Sequence, residues 1–245
     1  MVKIAYLTWI EWKLYFRNIF KAFSSLAIPV MLLILMGGIY GNKPVINGFG
    51  ILDMTIAGYI GIAIAFTGLM SLPVSICQYR EKKVLKRFMA TPIHPADLLA
   101  SQVAVNYLVT LLGMAVLILT GLQFYHVRMP GNPAAIFLSF TTATICIFSI
   151  GFVIASLCED MKTANAVSFL LYFPMLMLSG ATIPLDVMPP VMKHIAEVLP
   201  LTYGIDLIRG AWLGGSNVNF MKDMAVLGGT TVAAVMISFF TFRWE

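Results

Sequence analysis

The sequence predicts an all-α membrane protein with six transmembrane helices, and three observations carry that prediction. Hydrophobic residues make up 60% of the 245 and charged residues only 11%, with mean hydropathy +0.89; soluble domains carry about 25% charge. Several stretches hold no Asp, Glu, Lys or Arg, and each is about as long as a helix needs to cross a hydrocarbon core of about 30 Å. The charges that remain are gathered between those stretches. So few charges cannot clothe so much apolar surface in water, which leaves the bilayer as the solvent.

Residues 1–21 alternate cations (Lys3, Lys13, Arg17, Lys21) with Trp9, Trp12, Tyr15, Phe16 and Phe20. Ile4, Leu7 and Leu14 recur at three- and four-residue steps, which predicts an amphipathic helix lying in the headgroup layer. The first span is 22–41, with Pro29 as a kink and Gly37 and Gly41 as a small-residue step. A polar turn, Lys43 to Asp53, leads into the second span, 54–78. There Gly58, Gly61, Ala65 and Gly68 predict close contact with another helix, and Pro73 predicts a second kink.

A basic island follows at 79–102, and the third and fourth spans are 103–123 and 134–157, parted by a breaker-rich turn with Pro130, Gly131 and Pro133. A second polar island holds Glu159, Asp160 and Lys162. The fifth span, 166–183, is interrupted by Pro174 and by Ser179-Gly180. Residues 184–222 are apolar but cut by Pro184, Pro189, Pro190 and Pro200 into pieces too short to span. Short re-entrant helices shielded by protein are the physical solution there. The sixth span is 224–242. The chain reads as one membrane domain, with no cleavable leader, internal repeat or low-complexity segment.

Six spans put both termini on one side. The N-terminal segment carries four Lys or Arg, the basic island five, the second island one and the C-terminus one, against five on the other side. The positive-inside rule then makes the termini and both islands cytoplasmic. The formal charge of +5 is accordingly a topology signal rather than a nucleic-acid footprint. Cys77, Cys146 and Cys158 have no metal-ligand spacing and read as packing residues; His94, His126 and His194 show no ligand pattern.

No catalytic grouping, metal set or GxxxxGK[ST] phosphate loop is present in the sequence. The predicted spans hold essentially no ionisable group at mid-depth, where a charge costs at least about 2.5–3.5 kcal/mol and normally marks an ion or proton relay. A proton-coupled transporter or ion pore is therefore disfavoured, and energy must arrive from outside. The basic island is the candidate entry point. Helical period sets Val84, Leu85, Phe88 and Met89 on an apolar face, with Arg80, Lys82, Lys83, Lys86 and Arg87 outward. A docking helix from Tyr79 to Met89, broken over Thr91 to Pro95, is one reading; a juxtamembrane loop binding anionic headgroups is the other.

The stretch YREKKVLKRFMATPIHPADLLASQ, Tyr79 to Gln102, resembles the loop between the second and third spans of ABC-type-2 permeases, the membrane subunits of many bacterial ABC exporters. Glu81 and Thr91-Pro92-Ile93 fit the family's acidic residue and following "tPi"; Val84 stands where the family often has Gly. Leu170 to Trp212 is similar to the family's stretch after the fifth span, with Ser179, Gly180, Pro184, Pro189, Pro200, Leu201 and Arg209 aligned by spacing. The order of these features covers almost the whole chain.

The resemblance implies a multidrug- or antibiotic-type exporter permease that moves a hydrophobic or amphipathic substrate. It pairs with a second permease, identical or homologous, and with two copies of an ATPase subunit that hold ATP and Mg; this chain itself binds no cofactor. It implies a coupling helix in the basic island, with Tyr79, Arg80, Glu81, Lys82, Lys83, Leu85, Lys86 and Arg87 as its ATPase-facing residues. Glu159 and Asp160 are a second ATPase contact or simply a solvated turn. Ser179, Gly180, Pro184, Asp206 and Arg209 fall in the re-entrant outer-gate segment, although Asp206 and Arg209, at i and i+3, also suit a local ion pair. The expected location is the bacterial cytoplasmic membrane. A scaffold or sensor that engages an ATPase without moving cargo is the competing function; a membrane-embedded enzyme is disfavoured by the missing intramembrane His, Asp and Glu.

Overall fold

The computed structural model describes residues 2–42, 44–46, 48–84, 95–182, 185, 188–215 and 220–241. Its helices are α1 (Val2–Arg17), α2 (Ile19–Tyr40), α3 (Ile51–Glu81), α4 (Pro95–Tyr125), α5 (Pro133–Leu157), α6 (Met161–Leu178), α7 (Pro190–Ala196), α8 (Pro200–Leu213) and α9 (Phe220–Thr241). Six of them, α2 to α6 and α9, are long and apolar enough to cross a membrane. Between α2 and α3, the expected polar turn instead holds a small antiparallel pair, β1 (Pro44–Ile46) and β2 (Phe49–Gly50), with Pro44 opposite Gly50 and Ile46 opposite Phe49.

The helix α3 is the axle of the bundle. In its most apolar window 89% of residues are buried, against 11% for α9, and α2, α4, α5, α6 and α8 all pack on it. Its glycines make this possible. A Cβ on Gly58 would lie 2.5 Å from the Ala181 carbonyl oxygen, and one on Gly61 2.5 Å from Ile205 Cγ1. Small residues thus let neighbouring backbones approach in a setting where lipid offers no hydrophobic drive.

The two prolines predicted to kink the first and second spans share one local form. Pro29 and Pro73 are each preceded by a π-helical segment, Phe23–Ala27 and Phe66–Ser71. A proline donates no hydrogen bond to the carbonyl four residues upstream, so the preceding turns widen. Pro174 behaves otherwise: α6 runs through it and stops only at Ser179, with Gly180 in the left-handed region at φ +79°. The helix also starts earlier than the sequence predicts, at Met161, because Asp160 caps it.

The segment before α9 carries α7 and α8, neither long enough to span. Leu201, Ile205, Ile208 and Trp212 recur at helical spacing on α8 and are essentially inaccessible, which seats α8 among α3, α5 and α9. The amphipathic α1 lies along α4, with Leu7, Glu11 and Tyr15 buried on one face. The spans alternate in direction. One end of the bundle gathers α1 and the turns after α3 and α5; the other gathers the β pair, the turn before α5 and the end of α6.

Candidate functional site

The last turn of α3 carries three residues of the basic island, and each reaches a different element. The Tyr79 hydroxyl donates to both Glu11 carboxylate oxygens on α1, at 2.7 Å. Gln102 on α4 donates from Nε2 to the same carboxylate at 2.5 Å and to the Tyr79 oxygen at 3.2 Å. Arg80 Nη1 donates to the Cys158 carbonyl at 2.9 Å, and the Met161 amide donates to Glu81 Oε2 at 3.2 Å.

The charges match the ends they meet. Cys158 closes α5, where carbonyls and the negative end of the helix dipole attract a cation; Met161 opens α6, where free amides attract an anion. Adjacent residues of opposite sign therefore tie the end of α3 to the close of one span and the start of the next. Burial raises the Glu11 carboxyl, an effect opposed by the hydrogen bonds from Tyr79 and Gln102 and by the nearby charge of Lys21. Lys21 Nζ donates to Ser75 Oγ at 2.6 Å, and Ser75 in turn donates to the Ser71 carbonyl at 2.5 Å. Glu11, Lys21, Ser75, Tyr79 and Gln102 line a cavity of about 200 Å³.

This differs from a docking helix beginning at Tyr79. Tyr79, Arg80 and Glu81 belong to the end of the second span, and the helix breaks at Lys82 and Lys83, the latter left-handed at φ +52°. Lys82 and Lys83 are exposed. Leu85, Lys86 and Arg87 lie outside the described residues, as does Pro184. Residues 95–102, which begin at the end of the break read over Thr91 to Pro95, form the first turns of α4.

In the second island Asp160 accepts from the Thr163 amide at 2.8 Å and its hydroxyl at 2.9 Å. These bonds hold the Asp160 carboxyl below its ordinary range and fix the start of α6. Glu159 beside it is exposed.

At the opposite end, Arg209 Nη1 meets Asp206 Oδ1 at 3.4 Å, the predicted local pair. Arg209 Nη2 also donates to the Gly180 carbonyl at 3.2 Å, so α8 is tied to the residue that ends α6. Ser179 is fully buried at that junction. The anchor missed by sequence reasoning is Asp53, 1% exposed. It accepts from the Gly50 amide at 2.8 Å, the Arg128 amide at 2.9 Å and Asn42 Nδ2 at 2.9 Å. Glu11 was missed too; its signal was its position as the sole acid before Asp53, at four-residue spacing from Leu7 and Tyr15.

A groove of about 940 Å³ opens between α4, α5 and α9, lined by Val103, Tyr107, Ile145, Phe148 and Phe239 among others. Most of its hydroxyls are already bonded: Tyr107 pairs with Thr141 at 2.9 Å, while Thr144, Ser149 and Thr231 donate to carbonyls of their own helices. The wall is chemically close to hydrocarbon.

Residues 2–213 match the model of the ABC-2 type transporter family. The chain belongs to that family. Among curated ABC-2-like relatives, the chain is 19% identical over 170 residues to the probable multidrug ABC transporter permease YbhR of Escherichia coli K12. That match covers 68% of this chain and 46% of YbhR. It is 36% identical over 90 residues to nodulation protein J of Rhizobium leguminosarum bv. viciae, covering 37% of this chain and 35% of that one. With ABC transporter G family member 20 of Dictyostelium discoideum it shares 24% over 185 residues, 75% of this chain and 25% of that one. The ABC-2 match thus spans less than half the length of these relatives.

Proposed function

We propose that this ABC-2 chain is the permease subunit of an ATP-driven exporter of a hydrophobic or amphipathic substrate. The observation that carries the reading is the paired anchoring of Arg80 and Glu81 on the turn between α5 and α6. A push on the segment after Glu81 reaches three spans at once through the end of α3. The sequence has no phosphate loop of its own, so ATP and Mg sit on a separate ATPase, two copies of which serve a pair of permeases. The charged end faces the cytoplasm of a bacterial cell, α1 rests in the headgroup layer, and α7 and α8 form the outer mouth. The hydrocarbon-like groove and the multidrug designation of YbhR both support a hydrophobic or amphipathic cargo.

Co-purification with the ATPase encoded alongside it, followed by ATP-driven efflux from vesicles containing both, tests this reading. ATPase capture with cargo movement is the expected result. Capture with ATP turnover but no movement of any amphipathic cargo favours the scaffold reading. Absence of both an ATPase partner and transport overturns the exporter assignment.

A further inference from the structure

The cavity enclosed by α1, the start of α2, the end of α3 and α4 is built for a ligand that the exporter reading does not use. Its two charged groups, Glu11 and Lys21, face one another through space but form no ion pair or hydrogen bond with each other. Glu11 is 7% exposed. Its Oε1 accepts only from Tyr79, while Oε2 accepts from both Tyr79 and Gln102, so Oε1 retains an acceptor position. The Lys21 ammonium has three donors and uses one, on Ser75.

Two more polar groups stand without side-chain donor partners. The Gln78 amide lines the cavity and makes no side-chain hydrogen bond. Asn18 accepts from the Lys21 amide through its oxygen, leaving its own Nδ2 donor unused. Deeper in the same wall the Tyr15 hydroxyl, on a residue 7% exposed, is buried without a hydrogen-bond partner. Buried polar groups are ordinarily satisfied; Tyr15 is the buried exception in this wall, while Lys21 and Gln78 are half-buried and Asn18 is exposed, and all four line the one chamber.

The arrangement has a sign. Donors cluster at the Lys21 side and a carboxylate lone pair remains at the Glu11 side, so the walls carry one positive and one negative charge. An anion alone meets the Glu11 carboxylate, and a cation alone meets Lys21. A zwitterion satisfies both. Ile19, Phe20 and Phe23, which follow Asn18 in the chain, are 80%, 76% and 51% exposed and provide an apolar ridge beside the chamber.

We infer that this chamber binds the phosphoethanolamine head group of a membrane lipid, with its phosphate on Lys21, Gln78 and Asn18 and its ammonium on Glu11. Its acyl chains run along the ridge of Ile19, Phe20 and Phe23. The head group then bridges α1 to the turn of α3 that holds Tyr79, and it completes the polar site that the protein leaves half-used. The inference rests on the placement of α1 in the headgroup layer and is independent of whether cargo moves.

The test is lipid retention by the full-length chain, with its co-purifying ATPase where one is present. The protein is held in mild detergent with equal amounts of dioleoyl phosphatidylethanolamine, phosphatidylglycerol and phosphatidylcholine, and read by native mass spectrometry. Phosphatidylethanolamine is expected to be retained about tenfold over the other two, a preference of about 1.4 kcal/mol. Lys21→Met and Gln78→Leu are each expected to cut that retention several-fold. Glu11→Gln is expected to abolish the preference over phosphatidylglycerol while a phosphate-bearing lipid is still held.

Equal retention of the three lipids by the unmodified chain overturns the inference. So does undiminished phosphatidylethanolamine retention in a folded Lys21→Met protein; if that variant fails to fold, Gln78→Leu, on the cavity wall, decides. Displacement of the lipid by millimolar inorganic phosphate identifies a plain anion site and likewise overturns it. Quenching of Trp9 and Trp12 by headgroup-depth brominated lipid reports separately on α1, so a failure of its placement is told apart from a failure of the site.

Discussion

Arg80, on the last turn of α3, donates from Nη1 to the carbonyl oxygen of Cys158 at 2.9 Å, across the gap to the C-terminal end of α5. The next residue, Glu81, receives the first amide of α6. Each charge compensates backbone groups that a helix end leaves unpaired, and together they make one mechanical unit of three spans.

That unit gives the first prediction. Arg80→Ala and Glu81→Ala each release one tether at the charged end of α3, beyond its apolar stretch, so membrane insertion should be unchanged. On the proposed exporter function, the expected outcome is a several-fold fall in cargo moved per ATP hydrolysed, with ATP turnover retained. Arg80→Lys keeps the charge but loses the planar fork, and should fall between. Reconstituted vesicles assayed for both turnover and efflux check this; efflux coupled as tightly in Arg80→Ala as in the unmodified protein counts against the tether.

A second prediction concerns Glu11. Glu11→Leu leaves the Tyr79 hydroxyl and the Gln102 amide without their acceptor, at a cost of about 1–3 kcal/mol. Glu11→Gln still accepts from Tyr79 and should cost much less. The pH dependence follows from the direction of the shift. Burial raises the folded carboxyl above its ordinary value of 4.5, so between those two values the native state binds more protons than the unfolded one. Stability therefore rises as pH falls through the raised value, and levels off below the ordinary one. Thermal unfolding in detergent across mildly acidic pH should show this slope in the unmodified protein, and Glu11→Gln should lack it.

The sequence made the spans legible because membrane insertion is a local, additive property: an uncharged stretch of sufficient length declares itself. The irregular turns before Pro29 and Pro73 are legible for the same reason, since a missing amide acts on its own turn. What escaped was non-local. Glu11 meets Tyr79 and Gln102 from 68 and 91 residues away, and nothing in α1 marks which polar residue turns inward. Pro174 reads as an interruption in the sequence, yet α6 runs through it, as helices in membranes tolerate. Charge, not helix continuity, sets the sequence boundary at Tyr79, whereas Tyr79, Arg80 and Glu81 continue the helix of the second span.

Asp53 carries the third prediction. Its carboxylate joins three separate pieces of the opposite end: Gly50 and Asn42 from the connection around the β pair, and the Arg128 amide before α5. Asp53→Ala strands two backbone amides in a buried site, so a loss of at least about 2 kcal/mol is expected. Asp53→Asn retains an acceptor oxygen and should lose less. Thermal unfolding of the two variants side by side measures the difference; equal behaviour of both would show that the amides find other acceptors.

The last prediction concerns how α8 is held. The Gly131 amide donates to the Trp212 carbonyl at 3.0 Å, locking the C-terminal turn of α8 to the loop before α5. The approach is possible only because residue 131 has no side chain: a Cβ there would overlap the Ala211 carbonyl oxygen. That obstacle is backbone, which cannot rotate aside, so Gly131→Ala must push the loop off α8 and lengthen the hydrogen bond. A cost of about 1–3 kcal/mol is expected, as for other overpacked sites. The fully buried Trp212 should become more accessible to quenchers. Gly228→Ala and Gly229→Ala are the matched controls, because a Cβ at either position meets nothing within 4 Å. In the exposed helix α9 these changes should leave stability the same or raise it by up to about 1 kcal/mol through helix propensity. If Gly131→Ala behaves like those controls, the contact between Gly131 and Trp212 does not hold α8 in place.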